Sequence, residues 1–383
     1  MIHSLGVSVL VRVLGAAALA GAAAVEPRVL WHVRGEGWGT PAAESTTVYF
    51  TTKNHEVVAF DVDSGRERWR ADTDEPGSET FGFGAVIAGT VVAVGDYNVI
   101  AFDRATGALR WRFAPIDGHA PGPYLGVATD GLVLTGSAAG RMYAVQQETG
   151  LTRWSAIVSD NRRTTVFAPQ ANDHVAVAAF TEFSFPNTGG LVAADVKTGT
   201  VRWKTWFPPA TDRDLATNSA GGPVLYGGVA IASSGDGQIY AFDLETGEIG
   251  WSVPRVSDLP RDALLSPDRD FRPLAVSGST LLSGSLTGVV LAFDLLTRQQ
   301  RWRFHSPRSG STVFRMTADD DSLYLPYFSG ELVVLDVASG RERWRVGDWK
   351  QGFLWAPLVW KDRVFASATG LGFYAFGRGD REP

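Results

Sequence analysis

Cysteine is absent from the 383 residues, which excludes disulfides, thiolate nucleophiles, cysteine-ligated metals and a lipidated cysteine. A fold without bridges rests on its core, and a chain of this length can bury a large one. Charge of one sign is also scarce. The formal net charge of −6 leaves no broad basic field, so nucleic acid is not an expected partner. Past residue 25 no stretch approaches the roughly 20 apolar residues that a spanning helix needs, so no membrane span is expected beyond an N-terminal anchor. The six histidines show no metal-ligand spacing, and there is no Gly-x-Ser-x-Gly elbow or phosphate loop. No catalytic residue and no metal site is assigned.

Residues 1–24 read as an export signal, with Arg12 as its formal charge, an apolar run over Val13–Ala20 and small-residue cleavage sites at Ala20–Ala24. It is either cleaved or kept as an N-terminal anchor. The expected location is periplasmic or secreted. Residues 25–377 form one domain, followed by a tail at 378–383.

What the chain has in quantity is glycine, 43 residues, and tryptophan, 13, set in short alternating runs. Aligned on tryptophan, the sequence repeats as Asp61, Gly65, Trp69; Asp103, Gly107, Trp111; Gln146, Gly150, Trp154; Asp195, Gly199, Trp203; Asp243, Gly247, Trp251; Asp294, Arg298, Trp302; and Asp336, Gly340, Trp344. Successive tryptophans lie 42 to 51 residues apart, the spacing of propeller blades. Each unit offers four short strands. In the second these are Gly84–Ile87, Val91–Val94, Val99–Asp103 and Leu109–Phe113. The aspartate ends the third strand, the glycine makes the turn, and the tryptophan stands on the fourth, outer strand.

After Trp344 a further unit supplies only three strands, Leu354–Val359, Val364–Ser367 and Gly372–Phe376. Residues 28–34, with Trp31, supply the missing one and close the ring, which removes an open edge. The expectation is an all-β, eight-bladed propeller of four-stranded antiparallel blades. Its neighbouring wedges are expected to dock indole against indole, so the tryptophans read as packing residues.

The form Ala-Phe-Asp-x-x-Thr/Ser-Gly-x-x-x-Trp, at Ala101–Trp111 and Ala241–Trp251, resembles the docking motif of quinoprotein-type (PQQ-like) eight-bladed propellers. The resemblance spans residues 28–377. It implies one of two branches. The non-enzymatic, BamB-like propellers act as protein-binding scaffolds of the cell envelope, including outer-membrane protein assembly. The quinoprotein alcohol dehydrogenases use pyrroloquinoline quinone and calcium, are much longer, and carry an adjacent Cys-Cys disulfide that this chain lacks. Under that alternative Arg162, Arg163, Arg272, Arg315, Trp349 and Trp355 could reach the ring axis. The leading expectation is the scaffold, with no cofactor.

Loop length is uneven. Thr181–Gly190, Trp206–Ser219 and Pro254–Arg272 are long and fall on one face of blades four to six. They carry Phe183, Phe185, Trp206, Phe207, Arg213, Arg261, Arg269, Phe271 and Arg272. Long loops with aromatics and arginine suit recognition of a protein or envelope component.

Overall fold

Short apolar runs separated by tight turns can be buried only by pairing with their sequence neighbours and then stacking the resulting sheets. The computed structural model describes residues 27–74, 84–95, 98–115, 125–161, 163–184, 186–209, 222–254, 274–285, 288–306, 315–347 and 355–379. These form eight antiparallel sheets, the blades of a propeller. Blade 1 comprises Gly37–Glu44, Thr47–Thr52, Glu56–Asp61 and Glu67–Asp72, from the inside outward. Blade 8 comprises Leu358–Trp360, Arg363–Ala368 and Gly372–Gly377, with Val29–Val33 as its outer strand. Trp31 pairs with Ala375 and His32 with Tyr374. The amino-terminal strand therefore closes the ring as expected. Among the described residues no helix is long and apolar enough to cross a membrane.

The core is divided among the seams. Each of eight apolar clusters draws on two adjacent blades, such as Val58, Phe60, Phe365 and Phe373 across the closing seam. Middle strands are consequently buried on both sides, as in Val175–Thr181 of blade 4. The structure corrects some boundaries. The first strand of blade 8 is Leu358–Trp360, and the innermost strand of blade 4 is split into Thr164–Val166 and Gln170–Ala171, both pairing with Val175–Glu182.

The larger correction concerns the tryptophans. Six of the indoles dock on the turn of the next blade, Trp251 and Trp344 do not, and among the described residues no tryptophan of the motif docks on another. The Trp31, Trp69, Trp111, Trp154, Trp203 and Trp302 Nε1 atoms donate to the carbonyls of Val62, Arg104, Gln147, Val196, Leu244 and Val337, at 2.7–2.9 Å. Each acceptor directly follows the aspartate or Gln146 of the neighbouring motif. The motif glycine lies flat beneath the ring. A Cβ on Gly65, Gly107, Gly150, Gly199, Gly247 or Gly340 would meet an indole atom at 2.5–2.7 Å. Their φ angles of 66–74° independently favour glycine.

Blade 6 breaks the rule. Arg298 stands in the glycine position at φ 64°, and its guanidinium lies 5.7 Å from the ring centre of Trp251. A side chain there keeps the indole from settling onto the turn. Among the described residues Trp251 makes no carbonyl bond of the kind its six counterparts make.

Gly131 and Gly199 separate the two demands, because both have positive φ but only Gly199 lies under a ring. Gly131→Ala should cost about 1–2 kcal/mol from backbone conformation. Gly199→Ala should cost about 1–3 kcal/mol more, from displacing Trp154. Urea unfolding midpoints of the two variants measure the difference, and equal losses would show that the ring contact contributes nothing.

Candidate functional site

A four-stranded blade places its two kinds of loop on opposite faces of the ring. The Asp-to-Gly turns and the inner hairpin turns share one face, here the turn face. The blade-to-blade linkers and the loops joining the middle strands share the other, the linker face. On the turn face five of the seven motifs are stapled by an arginine one residue before the tryptophan. Arg68 pairs with Asp61 at 2.7 Å, Arg110 with Asp103 at 3.0 Å, Arg202 with Asp195 at 2.8 Å and Arg343 with Asp336 at 2.6 Å. Arg301 pairs likewise with Asp294. Blade 3 has Gln146 instead of the acid, and blade 5 has Gly250 instead of the arginine.

The same aspartates accept from the N–H groups of their own turns, for example Asp195 from Lys197 and Thr198, both at 3.0 Å. The Arg202 hydrogen bond, followed by the Thr198 N–H, lowers the Asp195 carboxyl to about 2. The Thr297 N–H, with Arg301, does the same for Asp294. Hydrogen bonds from Arg68 and Ser64 hold Asp61 well below the usual carboxylate range. Two further aspartates of this face are also paired. Asp63 pairs with Arg363 at 2.6 Å across the closing seam, and Asp319 pairs with Arg378 at 2.5 Å. Apart from the blade 5–6 seam, this face is framework.

Of the loops singled out from sequence, the described residues cover chiefly the blade 4 part, on the linker face. Its middle strands run longer than expected, to Glu182 and from Thr188, so the loop between them is only 183–187. Phe183 in that loop is 47% exposed and Trp206, at the end of the outer strand, is 40% exposed. Trp206 packs edge-on against buried Phe180 at 4.8 Å. Lys204 Nζ lies 4.6 and 4.7 Å from the centres of these two rings and donates to the Val158 carbonyl at 2.8 Å. Burial lowers the Lys204 ammonium below its ordinary value, and Glu182, 3.9 Å away, opposes the shift. Ser159 Oγ donates to Glu182 at 2.7 Å, which joins blade 3 to the cluster.

The result is a cation held rigidly between two rings with two aromatic edges open to solvent. Exposed aromatics on a fixed support lose little conformational freedom when covered, which suits binding. Phe207 does not belong to this surface. It is 4% exposed and packs on Tyr240 and Phe242 at 5.4 and 5.8 Å, because the chain turns inward after Trp206. Phe185, Arg213, Arg261, Arg269, Phe271 and Arg272 lie outside the described residues. Lys204 and Glu182 were not singled out from sequence. Their signal is the departure from arginine one place after Trp203.

Near the axis, Trp355 is 7% exposed, with Trp38 edge-on at 5.4 Å and the Arg315 guanidinium 5.1 Å from its ring centre. Protein groups already pack on this ring, so it does not offer the flat open floor that a planar quinone requires. Among the described residues no three His, Asp or Glu side chains converge as a metal-binding group. Arg162, Arg272 and Trp349 lie outside the described residues, and the Arg163 carbonyl accepts from the Phe183 N–H at 2.9 Å. The described residues do not fit the quinone and its calcium.

The sequence profile of the family described as outer membrane protein assembly factor BamB matches residues 20–179, 166–271 and 286–382. The BamB of Yersinia pestis is 25% identical over 367 residues, covering 88% of this chain and 84% of the relative. In structure the chain is similar to BamB from Moraxella catarrhalis, with a TM-score of 0.67 at 16% identity over 94% and 99% of the two chains. It is equally similar to a quinohemoprotein alcohol dehydrogenase from Comamonas testosteroni, with a TM-score of 0.67 at 14% identity over 94% and 77%. A ring shared by a scaffold and an oxidoreductase does not itself decide activity.

Linkage follows from the depressed carboxyls. Their contribution to stability is complete above the unfolded value near pH 4 and is lost as pH falls through about 2. Asp195→Asn should therefore lower the thermal midpoint most near neutral pH, with the gap to wild type closing near pH 2. A gap that stays constant with pH would contradict the ion-pair account.

Proposed function

The chain belongs to the family of the outer membrane protein assembly factor BamB, and from that premise we propose that it is an exported scaffold serving outer-membrane protein assembly, with no chemistry of its own. The amino-terminal signal reading of residues 1–24 supports a periplasmic location. The observation that carries the reading is the blade 4 cluster, where Phe183 and Trp206 stay half in solvent while Lys204 is fixed between rings.

The rigid ring supplies pre-organisation, and the uneven linker face supplies selectivity. A partner that covers Phe183 and Trp206 gains apolar burial, on the order of 1.5–3 kcal/mol for each large side chain fully buried. The partner is a protein of the assembly machinery, or an envelope component that it handles.

The test is co-purification of outer-membrane assembly proteins with tagged protein from its own envelope. Phe183→Ser combined with Trp206→Ala should reduce capture about tenfold or more, as expected for aromatic anchors. Removal of 256–268 should abolish capture, with little change in thermal midpoint for either variant. Undiminished capture would move the partner site elsewhere, and loss of capture together with loss of folding would make the linker structural.

A further inference from the structure

The outer strands present the ring's unpaired edges, and seven of the eight carry charge on at least one side of the tryptophan or close the ring. Arginine precedes Trp69, Trp111, Trp154, Trp203, Trp302 and Trp344, and arginine or lysine follows five of these. Charged side chains on an edge discourage another strand from adding to it. Blade 5 departs from this. Its outer strand, Ile249–Pro254, reads Ile-Gly-Trp-Ser-Val-Pro, with Gly250 and Ser252 in the two charged positions. It stands at the end of its sheet, so one row of its N–H and C=O groups faces outward.

The neighbouring turn of blade 6 departs too, and in two ways. Leu296 is 78% exposed, where four other blades place a charged residue, Asp63, Glu148, Lys197 or Glu245, and two place only the small Ala105 and Ala338. Arg298 replaces the motif glycine, lies over Trp251 and has no carboxylate partner among the described residues. Asp243, the acid of blade 5's own turn, is occupied by the N–H groups of Glu245 and Thr246 at 2.9 and 2.8 Å. An uncharged strand edge, an open leucine and an unpaired arginine thus meet at one seam of the turn face.

We infer that the blade 5–6 seam binds an extended acidic segment of another protein, which adds as a further strand along Ile249–Val253. The segment places a carboxylate on Arg298 and an apolar side chain against Leu296. The backbone groups of the edge give affinity, and the two side chains give selectivity. An anionic lipid surface would also meet Leu296 and Arg298 but has no use for a row of backbone donors and acceptors. The site is separate from the linker-face cluster.

The probe is a fluorescein-labelled peptide of alternating valine and glutamate, titrated against the full chain by anisotropy. Its counterpart with lysine for glutamate and vesicles containing phosphatidylglycerol serve as the other arms. The acidic peptide should bind, slow amide exchange over 249–253, and ignore the Phe183 and Trp206 substitutions. Arg298→Gly should weaken binding about tenfold or more while keeping or raising the thermal midpoint, since glycine restores the ordinary turn. Leu296→Ser should weaken it at unchanged midpoint. No binding, equal binding of the lysine peptide, vesicle binding in its place, or unchanged exchange at 249–253 would each overturn the inference.

Discussion

An indole can lie flat on a turn only where the turn has no side chain, and the ring is organised around that requirement. Six motif glycines lie within overlap distance of a tryptophan from the preceding blade. In the same six places the indole N–H reaches the neighbouring carbonyl, so one side chain contributes apolar burial and a directed bond to the seam. Because each blade contacts only its neighbours, the joint recurs seam by seam, at six of the eight, closure included. Trp31 makes that last joint, on Val62 and Gly65.

Much of this was legible in the sequence, because a repeat states its own register. Blade number, the closing strand and the outer position of the tryptophans all follow from the spacing of Asp, Gly and Trp. What the indole touches was not legible, since a linear motif does not say whether a large ring meets its counterpart or the turn beside it. The split inner strand of blade 4 was hidden for a related reason, since the break falls at Ala168-Pro169, just after Phe167 has bonded to Ala179, and Pro169 has no N–H to continue the ladder. Phe207 was misplaced because it follows an exposed tryptophan in a long linker, and only the tertiary fold shows the chain turning inward there.

The departures from the repeat are informative in proportion to its regularity. Arg298 would be unremarked in a loop, but in this position it displaces an indole bond found in six other seams. Lys204 and Glu182 form a fixed cluster at blade 4, where the two middle strands outgrow those of other blades. The framework thus occupies most of the turn face. The linker face and one irregular seam are left to differ from blade to blade, and it is there that recognition can be built without disturbing closure.

The central claim is that indole seated on glycine holds the seams together. It is tested most directly by comparing the urea unfolding free energies of Trp154→Ala and Trp251→Ala. Trp154 is seated on Gly199 and bonded to Val196, while Trp251 faces Arg298 without such a bond. Removal of the seated ring should cost about 3–5 kcal/mol, and removal of Trp251 clearly less. Equal losses would contradict the account.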